Sequence, residues 1–535
     1  MAPNSLFVAP SRVKSKTTAM VFTLLVIFTL ILTACGGSQS QQATSKHVLK
    51  IAAQSYDFAQ SGFNPYNGHP NAGILGLVYE TLYFVNVNDG SFTPMLATGY
   101  QWNSDNTQVT FTIRQNVKWN DGQPFSADDV AFTFNTMKQY PAADGLGVWS
   151  FLKDVSAPDA NTVVMTFQKA YPPVLVNIAG KVYIIPKHVF ASVGDPTKYL
   201  TDKPVGTGPF TLTRYQSDLA VFDKNPNYWQ ADKVKVDEIR FPEYKDNSTL
   251  QLALPKGDID WAGYFSPTLQ QDFVAKDPAH FHIWMDPINL YSICPNQKDP
   301  LIGGQAGLPV RLALSTAQSW LDPQFANMPT TADIAKAQKY LTDAGFTKGS
   351  DGIYQKNGKR LSFTLRSVDS YSDWNAAAKL IADQAKAVGI EIKNVTVGED
   401  NYYTLRTDGK YDYQLMFCGM VGGPTPYYLY NQYLNSVQIG QGKFNFVAWN
   451  DSTTDKFLNQ YASTTDPAAQ KQAIAGIEKV FVENQPFIPL WTGADYDEYS
   501  TRNFTGWPDA SNPYSSGSPN TAPDYEIVIL HLQPV

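Results

Sequence analysis

Cysteine is nearly absent from this sequence: among 535 residues there are three, Cys35, Cys294 and Cys418. That number excludes a disulfide framework, and no C-x-x-C pair offers a redox or zinc signature. Cys294 and Cys418 are either a pair, if the fold brings them together, or two buried thiols. The six histidines are scattered, without the spacing of a metal site. Charged residues make up only 17%, the formal charge is −7, and no basic stripe runs along any segment, which argues against a nucleic-acid partner. G-x-S-x-G, H-E-x-x-H and the Gly-Lys-Ser/Thr of a phosphate loop are all missing. Gly206-Thr207-Gly208, followed by Pro209, reads as a turn into a strand. The neighbouring carboxylates Asp128/Asp129 and Asp258/Asp260 read as cap and turn residues rather than the acid/base pair of a glycosidase. No catalytic residue, cofactor or metal site is expected.

Long apolar runs are also lacking, with one exception. Ala19 to Leu32 follows a basic stretch holding Arg12, Lys14 and Lys16. At ~1.5 Å per residue this run reaches ~21 Å, short of a hydrocarbon core of about 30 Å, so it fits a secretory leader better than a spanning helix. Leu32-Thr33-Ala34-Cys35 then resembles the lipobox of bacterial lipoproteins. That resemblance implies a signal peptide over 1–34 and lipidation of Cys35 as the first mature residue. The stretch 35–45 is Gly-, Ser- and Gln-rich and reads as a flexible tether. The chain is therefore expected on the extracellular face of the cytoplasmic membrane, or in the periplasm of a cell with an outer membrane.

Aromatic residues, by contrast, are plentiful: 13%, with 30 Tyr, 30 Phe and 11 Trp. Such side chains build amphipathic binding surfaces. The length implies two or three domains. Leu96 to Lys138 shows the local logic. Val109, Phe111 and Ile113 alternate with polar residues as in a half-buried strand, Asn120-Asp121-Gly122 turns the chain, and Ser126 with Asp129 opens a helix. Strands are expected at Val48–Ala52, Val163–Phe167, Leu361–Leu365, Ile390–Val397 and Tyr413–Phe417, and a hairpin at Asn88-Asp89-Gly90. Helices are expected at Ile74–Leu82, Thr331–Ala344, Asp373–Val388 and Pro467–Glu483, with Gly345 and Gly389 as stops. Strands alternating with helices in the second half imply an α/β arrangement.

Several landmarks carry a resemblance over nearly the whole mature chain. They are Trp102 and its Ser-Asp-Asn turn, Val117-Lys118-Trp119, Asp121-Gly122, Ala127-Asp128-Asp129-Val130, Pro204 to Phe210, Asn225 to Trp229 and Gly257 to Gly263. Together they resemble the peptide-type (family 5) extracellular solute-binding proteins of bacterial ABC importers, including oligopeptide-, dipeptide- and cellobiose-binding lipoproteins. The resemblance implies a two-lobed α/β periplasmic-binding-protein-like fold, type II, of the large cluster with an extra subdomain in lobe I. It places lobe I at 46–255 plus 490–535 and lobe II at 256–489, with crossings near Trp261 and Pro489. Relative to the family, the segment near Ala317-Gln318 is shortened.

The same resemblance implies a monomeric receptor that closes over an oligosaccharide or oligopeptide and delivers it to permease subunits. The alternative is a secreted, membrane-tethered carbohydrate-active enzyme. Aromatic residues interleaved with Gly, Asn and Gln at two strand ends mark the ligand-binding candidates: Trp374, Phe417, Gly422, Gly423, Tyr427 and Tyr428, joined by Trp261. In peptide-binding members an Asp in the segment after Tyr413–Phe417 pairs with the peptide ammonium. Residues 418–433 hold no acid, so a neutral oligosaccharide is the expected ligand.

Overall fold

Residues 46–52, 62–67, 70–244, 246–264, 266, 268–314, 333–407, 413–421, 423–440 and 444–535 are described by a computed structural model. The leader, Cys35, the tether, Gly422 and the shortened segment at Ala317-Gln318 lie outside the described residues. Residues 47–535 form one compact unit.

β1 (Val48–Ala52) and a hairpin of β2 (Tyr83–Val85) and β3 (Phe92–Pro94) come first. β4 (Ala97–Trp102), β5 (Gln108–Ile113), β6 (Leu152–Asp159) and β7 (Thr162–Phe167) make a four-stranded antiparallel sheet in the order β4-β5-β7-β6. Val109, Phe111 and Ile113 point to its buried face, as their alternation requires. The helix Ala127–Gln139 packs on that sheet, and its start is fixed by the Ser126 N–H donating to Asp129 Oδ2 at 3.0 Å.

β8 (Phe210–Gln216), β9 (Leu219–Lys224), β10 (Glu238–Pro242), β11 (Trp261–Ala262) and the fifteen-residue β12 (Phe281–Pro295) continue the chain. A small sheet of β13 (Thr347–Lys348), β14 (Tyr354–Lys356) and β15 (Lys359–Arg360) precedes β16 (Ser362–Val368), β17 (Glu391–Val397), β18 (Leu415–Val421) and the thirteen-residue β19 (Ile488–Ser500). β20 (Phe504–Thr505) and β21 (Gln533–Pro534) close the chain. Ten strands share one ladder, in the order β17-β16-β18-β12-β19-β11-β1-β10-β9-β8.

The two longest strands, β12 and β19, lie antiparallel at the middle of that ladder and bridge its halves. Their register slips between Asp286 and Asn289 and again where Tyr291/Ser292 meet Trp491/Pro489. Each slip falls at a proline, Pro287 on one strand and Pro489 on the other. Proline has no N–H to give to a ladder, so a break is expected there. β11 pairs with β1 and with the far end of β19, and an apolar cluster joins Ala52 to Ile259, Phe273 and Phe281. Trp261 therefore precedes the passage between halves, which runs along β12.

The expected helix at Ile74–Leu82 is absent; the segment is a series of turns with Ile74, Leu77, Val78 and Tyr79 all buried. Gly76 sits at φ +93°, which interrupts a helix, and the Leu77 and Val78 carbonyls accept from Phe210 N (3.0 Å) and Gly208 N (2.9 Å). Packing against the Gly206–Gly208 turn thus outweighs helical periodicity. A Cβ at Gly206 would lie 1.9 Å from the Val78 oxygen, so no other residue fits that turn without backbone movement. The other expected helices form, at Ile334–Asp343, Ser372–Val388 and Pro467–Asn484.

Candidate functional site

Two ring clusters meet near the centre of the long ladder. The first is built around Trp374, at the N-terminal turn of the helix Ser372–Val388, which follows directly on β16. Its ring lies 5.0 Å from Phe417 on β18, 5.0 Å from Tyr371, 5.6 Å from Tyr402 and 6.2 Å from Tyr291 on β12. Gly419 makes room for them, since a Cβ there would lie 3.3 Å from Trp374 and 3.4 Å from Tyr291. Tyr402 donates its hydroxyl to the Phe417 carbonyl at 2.6 Å, and Phe417 is fully buried. Trp374 keeps 7% of its surface accessible and Tyr291 and Tyr371 more, so they are the accessible members of the cluster.

The second cluster follows β18 through Gly423 and Pro424 into the helix Pro426–Leu434. Tyr427 stacks on Tyr461 at 4.2 Å and 8°, and donates its hydroxyl to Tyr171 Oη at 2.9 Å. Asn431 Nδ2 donates to the same oxygen at 3.2 Å, and Tyr171 stacks on Phe151 at 4.4 Å. Burial pushes the Tyr171 phenol up to about 12. Tyr428 lies over Gly423, where a Cβ would come within 2.7 Å of its ring. The second cluster thereby joins the four-stranded sheet region to the elements after β12, and both belong to one continuous apolar core.

Trp261 lies apart from the other candidates. It is fully buried, its indole N–H donates to Asp497 Oδ1 at 2.7 Å and Gly517 O at 3.1 Å, and its ring meets Trp507 at 5.3 Å. In this conformation it serves packing. Tyr427, at 1% exposure, likewise backs the cluster, whereas Tyr428 is partly accessible. Tyr171, Tyr291 and Gly419 were not singled out from the sequence. Tyr291 sits on an apolar strand and Tyr171 is remote in the chain from its partners, so neither carries a local signal.

The acids behave as cap and turn chemistry requires. Asp129 accepts from Ser126 N and Lys187 N, and Asp260 accepts from Lys50 N at 2.9 Å and Asn503 Nδ2 at 2.7 Å. Asp373 stands at the start of the Trp374 helix, near Tyr496; burial raises its carboxyl, and no basic side chain pairs with it among the described residues. Cys294 and Cys418 are buried free thiols on the neighbouring strands β12 and β18. No group of His, Cys, Asp or Glu among the described residues has metal-binding geometry, and no helix there is long and apolar enough to cross a membrane.

A long mixed ladder whose halves are bridged by two central strands, with aromatic clusters beside the bridge, is the architecture of two-lobed solute-binding receptors. Solved structures agree. A periplasmic oligopeptide-binding protein of Thermotoga maritima, crystallised with mannohexaose, superposes with a TM-score of 0.80 at 23% identity, covering 92% of this chain and 99% of its own. The oligopeptide-binding protein AppA of Bacillus subtilis, in complex with a nonapeptide, gives 0.77 at 20% identity, covering 92% and 99%. In sequence, the oligopeptide-binding protein OppA of Bacillus subtilis is 23% identical across 89% of this chain and 94% of its own length. Protein XP55 of Streptomyces lividans is 27% identical across 72% and 73%. The family described as bacterial extracellular solute-binding proteins, family 5 Middle, matches residues 91–318 and 304–439. The chain belongs to that family of ABC-importer binding proteins.

Proposed function

We propose that this protein is a lipid-anchored receptor that captures a neutral oligosaccharide between its lobes and presents it to the permease of an ABC importer. One observation carries the choice of ligand. The segment 418–433, which ends β18 and runs into the helix Pro426–Leu434 beside both ring clusters, has aromatic and amide side chains but no acid. An ammonium enclosed there without a partner would cost several kcal/mol. Accessible rings at Trp374, Tyr291 and Tyr428 suit the apolar faces of pyranoses, with Phe417, Tyr427 and the Gly423 turn behind them. The lobes move about the register breaks of β12 and β19. In this reading their boundaries fall at Asp286–Asn289 and Gly493–Asp495, both later in the chain than the ends of 256–489 expected from the sequence. Binding stabilises the closed arrangement, so recognition and signal arise from the same contacts. The role is capture without turnover.

Asp373 supports a second reading, in which an oligopeptide's ammonium meets its desolvated carboxylate. Calorimetry separates the two. Manno-, cello- or xylo-oligosaccharides should bind at micromolar level or tighter, unhydrolysed, and saturation at 100 times Kd should add about 2.7 kcal/mol of stability. Tight binding of a di- to pentapeptide, lost on acetylating its amino terminus and absent for sugars, replaces the first reading with the second. Steady release of shorter sugars would instead identify a tethered carbohydrate-active enzyme.

A further inference from the structure

Away from the ring clusters, the β2–β3 hairpin, the segment after Asn225 and the C-terminal helix Asp524–His531 enclose a hollow of about 630 Å³. Its floor is apolar and well buried: Phe84, Met95, Ile527 and Leu530 are each at most 9% exposed. Its rim carries two cations, Arg114 and Lys233, beside the imidazole of His531, and no carboxylate lines it. The Arg114 guanidinium lies 3.8 Å above the Trp229 ring, with Nε donating to Met95 O at 2.6 Å and Nη2 to Pro94 O at 3.4 Å. Its Nη1 has no partner among the described residues. His531 is held by Nδ1 against Ile527 O at 2.7 Å and by a stack on Tyr514 at 4.2 Å, which leaves Nε2 unused. The Lys233 ammonium pairs with nothing among the described residues.

Acids do stand nearby, behind Trp229: Glu80 Oε1 accepts the Trp229 indole N–H at 3.0 Å, and Glu526 is beside it. Burial lifts Glu80 to about 7 and Glu526 well above its ordinary value, so at neutral pH the pair, which faces Arg114, offsets part of the rim charge and leaves Lys233 uncompensated. Ligand sites combine an apolar lining with a few convergent polar groups, as this hollow does.

We propose that this hollow is a second binding site, separate from the cleft, for an amphipathic anion whose head meets Arg114 and Lys233 and whose apolar tail lies over Phe84, Ile527 and Leu530. Such an anion is supplied either by a free carboxylate with a short alkyl or aryl tail or by the head and first carbons of an acidic lipid. Octanoate and monomeric dihexanoylphosphatidylglycerol represent the two sources, and octylammonium controls for the tail alone. Titrated calorimetrically into the whole protein, at least one of the anions should bind one to one with Kd below about 1 mM, while octylammonium gives no heat. Octanoate alone identifies a free carboxylate, and the phospholipid alone identifies a lipid head. Lys233→Glu should weaken binding at least tenfold, and Thr93→Trp, which fills the hollow from an exposed strand position, should abolish it. Both variants should keep the wild-type melting temperature and cleft affinity, and if one misfolds the other still decides. Absence of binding to both anions at about 5 mM, equal binding of octylammonium, or wild-type affinity in the folded variants overturns the proposal.

Discussion

Replacing Tyr171 by Phe probes the contact on which lobe closure should depend. The substitution keeps the ring, and with it the stack on Phe151 at 4.4 Å, but deletes the one oxygen that receives Tyr427 Oη at 2.9 Å and Asn431 Nδ2 at 3.2 Å. Two buried donors then lose their acceptor, at about 1 kcal/mol each by the low end of such penalties. If the contact exists only when the lobes meet, the full ~2 kcal/mol falls on the closed state, and the apparent Kd for the transported ligand rises about 30-fold. The melting temperature of the unliganded protein should then hardly change, because the contact is absent from its open state. Calorimetry with the oligosaccharide reads the first effect and thermal unfolding the second. Small-angle scattering supplies a ligand-free check, since the variant should have the larger radius of gyration. Affinity within twofold of wild type, together with a melting temperature lowered by several degrees, would show that the Tyr171 contact is permanent core and would refute the reasoning.

Three further outcomes are expected. Glu80 has its carboxyl raised from 4.5 to about 7 by burial; the folded state therefore holds a proton that the unfolded chain releases. That contribution is fully present below about pH 4.5 and fades as pH rises towards 7, by about 3 kcal/mol. Melting temperature should thus be higher at pH 5 than at pH 8, and Glu80→Gln should reduce the difference, Glu526 beside it still contributing in the same direction; a wild-type melting temperature that climbs across this interval contradicts the assignment. Trp374→Ala removes the ring at the centre of its cluster and should weaken ligand binding about 30-fold, an aromatic anchor being worth about 2 kcal/mol; unchanged affinity would move the site elsewhere. Cys35→Ala should shift the protein from the membrane to the soluble fraction, and continued sedimentation with membranes would dispose of the lipid anchor.

Much of the fold was legible because the informative patterns are local. The alternation at Val109, Phe111 and Ile113, the Ser126/Asp129 helix start and the glycine stop at Gly389 are each decided within a few residues, and the structure reproduces them. Ile74–Leu82 misled for the opposite reason. Its apolar spacing suits a helix, but the carbonyls of Leu77 and Val78 are claimed by a turn more than a hundred residues away. The ring clusters were half visible: Trp374 comes from a strand-to-helix junction, and Phe417, Tyr427 and Tyr428 from a strand end flagged by glycine and proline. Their partners Tyr291 and Tyr171 reach them only through the long ladder and the four-stranded sheet. Trp261 was picked for its type, and its position beside Asp497 and Gly517 depends on packing with the C-terminal segment, which no local pattern encodes.

The proline breaks in β12 and β19 have a mechanical consequence. A ladder that is continuous on either side of a short unpaired stretch behaves as a pair of torsion bars joined at a pivot, stiff along the strands and compliant about one axis. Neither Pro287 nor Pro489 has an N–H to give to the ladder, whereas Asn289–Tyr291, between the two breaks, stay paired with Trp491–Gly493. If the lobes turn about these breaks, as proposed, the two prolines add no donated bonds that resist the turn. A substitution that restored an N–H at either position, such as Pro287→Val, would stiffen the pivot and slow opening and closing without touching a residue that contacts ligand.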